Sequence, residues 1–258
     1  MMFQYLDLGR VPLYDVFNVL AGVVLAAFLL LRYQKYIDAV GLREKKRPVL
    51  LALGQLALIG IVFFALFSLL NPRFARWFTR RNANYFGNLT AWLITLLVIP
   101  FLFRVSPLRA MDVLSPALPL SLFVAKIACF CCGCCYGFTM RGSFYYNELR
   151  ARHEFPVQML ESLVALGLFF LLLRYEKKNR TPGSVFPLYL AAYGAARFIT
   201  EFFRADLPNV LGPLDAYQIL SVAFALIGAG LLFLLRKHGD RIEKTLCRKR
   251  PQRFPLEP

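Results

Sequence analysis

Seven long apolar runs dominate this chain, and they leave few folds open to it. They occupy residues 16–31, 49–70, 89–103, 113–130, 157–173, 185–203 and 216–235. Roughly 20 helical residues are needed to cross a hydrocarbon core about 30 Å thick, and most of the runs approach that length. The first and third are short and need flanking residues such as Tyr14 and Arg104. Inside lipid the backbone must pair its own polar groups, so runs this apolar have to be helical. Alternation of polar and apolar residues is weak, which argues against a membrane barrel. The hydrophobic share of 58% is above the roughly 45–50% of soluble domains. The expected fold class is an all-α integral membrane protein of about seven transmembrane helices.

The first run follows Asp7 and Asp15 rather than a basic segment, and no small-residue cleavage site comes after it. It reads as a retained helix rather than a signal peptide. The net charge of +16 invites a nucleic-acid reading, but its placement follows the membrane instead. Counting crossings back from a cytoplasmic C-terminus puts 20 Lys and Arg inside, 9 outside and 2 within runs. That bias predicts N-terminus out and C-terminus in. No nucleic-acid partner is expected.

We expect one transmembrane domain over residues 1–258, without repeats or long linkers. It would carry an outer N-terminal segment (1–15), an outer arm (71–88) and a basic cytoplasmic tail (236–258). The arm interleaves Arg73, Arg76, Arg80 and Arg81 with Phe74, Trp77 and Phe78. This suits either an aromatic anchor or an interfacial helix that gathers anionic headgroups. The tail reads as a solvated topology anchor, with Cys247 a free thiol. A second outer segment, 138–156, contains Arg141, Asn147, Glu148, Arg150, Arg152, His153 and Glu154. Like the arm, it is long enough to do more than connect, and simple solvent exposure is the other reading of its polarity.

Ionisable groups within the runs are the first candidates for chemistry. A charge at the bilayer centre costs about 2.5–3.5 kcal/mol on insertion scales, so it needs a partner and a reason. Arg197 and Glu201 are four apart on one helix face, and Arg204 extends that face by a turn. Arg suits phosphate because its planar fork donates two parallel hydrogen bonds. The competing reading is a self-compensating ion pair that fixes packing. Gln158 and Glu161, three apart after Pro156, also share a face, either as a polar helix start or as part of a site.

Lys126 precedes the segment Cys129-Phe130-Cys131-Cys132-Gly133-Cys134-Cys135-Tyr136-Gly137, which holds five of the six cysteines. Overlapping C-x-x-C spacings fit a redox dithiol on an oxidising face. They also fit small residues that let backbones approach closely. A metal is not expected, because no His-rich or second Cys cluster completes a tetrahedral set. The segment is expected to line a site.

Taken together, the order of these motifs resembles the prolipoprotein diacylglyceryl transferase family, most strongly from residue 112 to 235. The family pattern Y-G-x-x-R-F-x-x-E-F-x-R is similar to Tyr193-Gly194 through Arg204. Its H-P-x-Q-x-x-E resembles Phe155-Pro156 through Gln158 and Glu161, and its G-Q-I-L-S resembles Tyr217-Gln218-Ile219-Leu220-Ser221. The entry D-x-x-x-P-x-x-P is similar to Asp112 through Pro116 and Pro119. The family signature G-R-x-G-N-F-x-N-x-E-x-x-G aligns in place with residues 125–137. There this chain has Lys126 for Arg, Cys129 for Asn and Cys134 for Glu. Phe86 stands where the family has a His, and Tyr14-Asp15 matches the family's N-terminal Tyr only loosely.

The resemblance implies a bacterial plasma-membrane enzyme that moves diacylglycerol from phosphatidylglycerol onto a lipobox cysteine thiol, without a cofactor. Carried over by position, the implied catalytic residues are Arg197, Glu201, Lys126 and Cys134. The implied substrate-binding residues are Arg204, Gln158, Glu161, Cys129, Gly133, Gly137, Tyr193 and Gln218. His153 and Glu148 are weak candidates for the base. The alternatives are a membrane thiol-disulfide oxidoreductase and a non-catalytic phospholipid-binding protein on the same scaffold.

Overall fold

The computed structural model describes residues 107–147, 150–178, 181–205, 209–212 and 214–247, with positions 20, 23, 24, 27, 28 and 30–32. The runs at 49–70 and 89–103, the 71–88 arm, Tyr14, Asp15, Phe86, Glu148 and the tail beyond 247 lie outside the described residues.

The described part is helical: α1 (Pro107–Leu114), α2 (Ala117–Cys132), α3 (Val157–Lys178), α4 (Val185–Glu201) and α5 (Ala216–Cys247). Two short hairpins lie between helices. In one, β1 (Tyr146–Asn147) pairs antiparallel with β2 (Arg152–His153); in the other, β3 (Asn209–Leu211) pairs with β4 (Leu214–Asp215). Three stretches are long and apolar enough to cross a membrane: Met111–Cys131, Val157–Lys178 and Ala216–Gly239. Many of their apolar side chains face outward, among them Leu163, Phe170, Leu226 and Phe233. Lipid tails solvate such side chains as well as a protein core does.

The run expected at 113–130 is broken near its start. Pro116 lacks an N–H, and Ser115 bonds back to the Met111 carbonyl through both its N–H (3.0 Å) and its hydroxyl (2.5 Å). Helix α2 then restarts at Ala117, and Pro119 falls in its first turn, where a missing N–H costs nothing.

One face of α3, formed by Gln158, Glu161, Ser162, Ala165, Leu168 and Leu172, is buried at helical spacing. Its lower part joins Leu114, Leu118, Leu122, Phe186, Tyr189 and Tyr193 in the core. Helices α4 and α5 approach almost to backbone contact. A Cβ on Gly194 would lie 2.6 Å from both the Ala225 nitrogen and the Ser221 oxygen, and one on Gly228 would lie 2.7 Å from the Pro187 oxygen. Small residues at such crossings drive helix association in lipid, where no hydrophobic force acts between helices.

Side chains from elsewhere in the bundle and its loops satisfy the helix starts. Both oxygens of Asp112 accept from the start of α4, from the N–H of Gly183 (2.6 Å) and of Val185 (2.8 Å). At α5, Asp215 accepts from the N–H groups of Tyr217 (2.7 Å) and Gln218 (2.8 Å), and Gln218 Oε1 accepts from Asp215 N–H (3.0 Å). This is a reciprocal capping box.

Candidate functional site

α2 and α4 end where α3 and α5 begin, so the polar residues near those termini meet at one end of the bundle. Lys126 comes from the last turns of α2, Glu161 from the second turn of α3, and Arg197 and Glu201 from the end of α4. Arg204 follows on the chain. Glu161 is the hub: one carboxylate oxygen pairs with Lys126 and the other with Arg197. Arg204 lies 3.8 Å from Glu161 and 3.2 Å from Glu201, and Arg197 reaches Glu201 at 2.5 Å. Both carboxylates are buried. The guanidinium of Arg197 also lies 6.0 Å from the centre of the Tyr217 ring at the start of α5.

Leaving any one of these charges alone in a dry interior would be costly, so the set stands or falls together. In this set three cations face two carboxylates. Three of the five, Lys126, Glu161 and Arg197, border a cavity whose polar side is completed by Tyr193 and Thr200. Leu122, Val164, Ala165 and Leu168 form an apolar wall.

The turn after α2 carries the second group of candidates. Gly133 takes a left-handed conformation (φ 68°), its N–H bonds to Phe130 O (3.3 Å), and Cys134 N–H bonds to Cys129 O (3.2 Å). This is a Schellman end, and Gly133 is needed for its backbone. Cys135 follows, also left-handed (φ 55°) although it has a side chain. The turn folds Cys134 and Cys135 back on Cys129, so the three thiol sulfurs lie within 4.8 Å of one another. Hydrogen bonds from Cys129 and Cys134 hold the Cys135 thiol well below its usual range, helped by the positive charges of Lys126 and Arg204.

Gln158 is fully buried and donates to the Cys134 carbonyl (2.7 Å). Gly137 has no room for a side chain, because a Cβ there would sit 2.9 Å from the Phe203 oxygen. Tyr193 stacks on Tyr189 with ring centres 5.5 Å apart and lines the cavity. Gln218 closes the capping box of α5.

Over the site lie residues 133–147 and 150–156, tied to the chain after α4 by Phe138 N–H to Phe203 O (3.2 Å) and Ala205 N–H to Tyr136 O (3.2 Å). Phe138, Phe155 and Phe203 stack beside these bonds. The expectation of a simply solvated polar segment fails here. Asn147 and Glu154 are buried, and Asn147 Nδ2 donates to Glu154 (2.8 Å) and to Gly133 O (3.0 Å). Glu154 is also paired with Arg150 at 3.1 Å. Burial alternates along this strand: Ser143, Tyr145 and Asn147 are buried while Phe144 and Tyr146 are exposed, although the residue types themselves show no such alternation. His153 is exposed, with Nδ1 2.8 Å from the Ser143 carbonyl.

The prolipoprotein diacylglyceryl transferase family model matches residues 6–234. Relatives of this chain include a phosphatidylglycerol–prolipoprotein diacylglyceryl transferase of Clostridium tetani. It is 34% identical over 127 residues, 47% of this chain and 51% of the relative. A second such transferase, from Clostridium perfringens, is 35% identical over 53% of this chain and 55% of its own length. One from Bordetella parapertussis is 31% identical over 71% of this chain and 73% of its own. The chain thus spans about half the length of the two clostridial relatives.

Proposed function

Because this chain belongs to the prolipoprotein diacylglyceryl transferase family, we propose that it transfers a diacylglyceryl group from phosphatidylglycerol, or a similar anionic phospholipid, to the thiol of a lipobox cysteine. One observation carries the reading. Lys126, Arg197 and Arg204 gather around Glu161 and Glu201, three cations to two carboxylates, beside an apolar wall. A phosphodiester brings one negative charge, and its lipid tails require apolar surroundings.

In this reading Arg197 and Lys126 hold the phosphate. The acceptor thiolate attacks the glyceryl carbon, the carbon–oxygen bond to phosphorus breaks, and glycerol phosphate leaves with the bonding pair. The same two cations stabilise the charge that gathers on the departing phosphate oxygen. Glu201 holds the Arg197 fork in register. Glu161 lies between Lys126 and Arg197 and offsets their repulsion. Arg204 pairs with Glu201 and so supports the Arg197 end of the cluster, Tyr193 bounds the glyceride, and Cys134 lies buried in the turn after α2.

We read the chain as crossing a bacterial plasma membrane seven times, with N-terminus out and C-terminus in. Arg32 pairs with Glu176 (2.5 Å) and bonds Val113 O (3.2 Å), while Asp112 caps α4. These residues gather at the end of the bundle away from the site, as the predicted cytoplasmic loops require. The site then opens on the outer face, where an exported lipobox protein would present its cysteine.

The deciding experiment supplies membranes with labelled phosphatidylglycerol and a lipobox peptide, and follows label into the peptide. Arg197→Ala should abolish transfer. Undiminished transfer by that variant, or failure of the wild-type chain to complement a strain lacking its own transferase, would overturn the assignment.

A further inference from the structure

We propose that Cys129, Cys134 and Cys135 bind one soft metal ion, with zinc the ion their geometry fits best. The three sulfurs lie within 4.8 Å of one another. Around a tetrahedral zinc with Zn–S of about 2.3 Å, sulfurs sit about 3.8 Å apart. Closing on such an ion asks each pair of sulfurs to approach by no more than about 1 Å.

That backbone is built to hold the donors where they are. The Schellman end at Gly133 returns the chain onto Cys129, and the left-handed Cys135 turns a second thiol to the same point. A residue with a side chain rarely takes that conformation. Gln158 fixes the Cys134 carbonyl and Asn147 fixes the Gly133 carbonyl, both from buried positions. Supporting bonds of this kind orient the ligands of known metal sites.

The donor set selects the metal. Three thiols with no carboxylate or imidazole in the set exclude magnesium and calcium, and favour zinc or copper(I). Lys126, one helical turn before Cys129 on α2, sets a positive charge beside the thiolates. Among the described residues three donors meet, which fills three positions of a tetrahedral ion and leaves the fourth open to a further ligand.

The test uses the full chain, purified in detergent under reducing conditions. Titration with Zn2+ should reach one equivalent per chain. Replacement by Co2+ should give a thiolate-to-cobalt charge-transfer band and intense tetrahedral ligand-field bands. Cys129→Ser, Cys134→Ser and Cys135→Ser should each lower zinc affinity by more than about 100-fold, while Cys131→Ser should keep both stoichiometry and spectrum. A second measurement needs no variant: bound zinc should protect these three thiols from alkylation, mapped by mass spectrometry.

Copper(I) bound at one equivalent in preference to zinc would keep the soft-metal site but overturn the choice of zinc. Metal uptake no higher than that of the Cys129/Cys134/Cys135 triple serine variant, or equal alkylation with and without zinc, would overturn the site. So would a disulfide between two of the three as the stable form under these reducing conditions. Transfer is assayed separately on the same preparations, so zinc binding without transfer counts against the proposed reaction and leaves this site standing.

Discussion

Glu161 pairs with Arg197 across two helices and 36 positions of sequence, and the same carboxylate holds Lys126 from a third helix. Neither contact is local. Each cation is therefore kept buried by an acid that belongs to another element, and helix packing and charge neutralisation depend on each other.

That dependence makes Glu161→Gln a damaging change despite its conserved shape. It removes the charge that Lys126 and Arg197 share, leaving Lys126 without its carboxylate while Arg197 keeps Glu201. Breaking such a pair costs about 3–5 kcal/mol. Thermal unfolding in detergent should show a clear drop in midpoint, with transfer lost at temperatures where the wild type is stable.

Arg197→Lys separates charge from shape. The ammonium keeps the charge but loses the planar fork that reaches Glu161 and Glu201 together. One lost charge-assisted hydrogen bond is worth about 1.5–3 kcal/mol, so transfer should fall by about 10- to 100-fold without vanishing. Arg197→Ala should leave none. Initial rates of label transfer distinguish the two variants.

Gly228→Leu probes the α4–α5 crossing away from the charged cluster. The new side chain would meet the backbone of Pro187 and Ala191, which cannot rotate aside. Overpacking costs about 1–3 kcal/mol even where side chains can adjust. A lowered melting midpoint should result, and Gly230→Leu, with open space around it, should show little change.

Gln218 tests a cap against a substrate contact. Its side chain closes the capping box with Asp215. Gln218→Glu keeps an acceptor oxygen and should preserve both stability and transfer. Gln218→Ala should lose about 1 kcal/mol, with the rate per folded molecule unchanged. Comparing melting curves with rates normalised to folded protein checks both outcomes.

Asp112→Ala should loosen the start of α4, because no side chain of Ser184 replaces the bonds to Gly183 and Val185. The expected cost is about 1–2 kcal/mol. Faster hydrogen exchange at those two amides is the local signature.

The helical character of α2, α3 and α5 was readable because long apolar runs admit no other backbone solution in lipid. Arg197, Glu201 and Arg204 were readable as one face because helical spacing is local. The hub role of Glu161 was not. Its spacing from Gln158 fits a polar helix start equally well, and only the approach of α2 and α4 gives it partners. The burial of Asn147 and Glu154 was hidden in the same way, since a polar loop and a polar plug share one composition.

The cysteine segment shows where the division falls. By itself the sequence determined that five thiols crowd one helix end and that a glycine stands where a helix can stop. Which thiols meet was decided by the tertiary structure, through the left-handed Gly133 and Cys135 and the buried amides of Gln158 and Asn147. Apolar periodicity is a property of neighbours along the chain. A site is a property of neighbours in space, and here those neighbours come from three helices, the hairpin over them and the turn that joins the two.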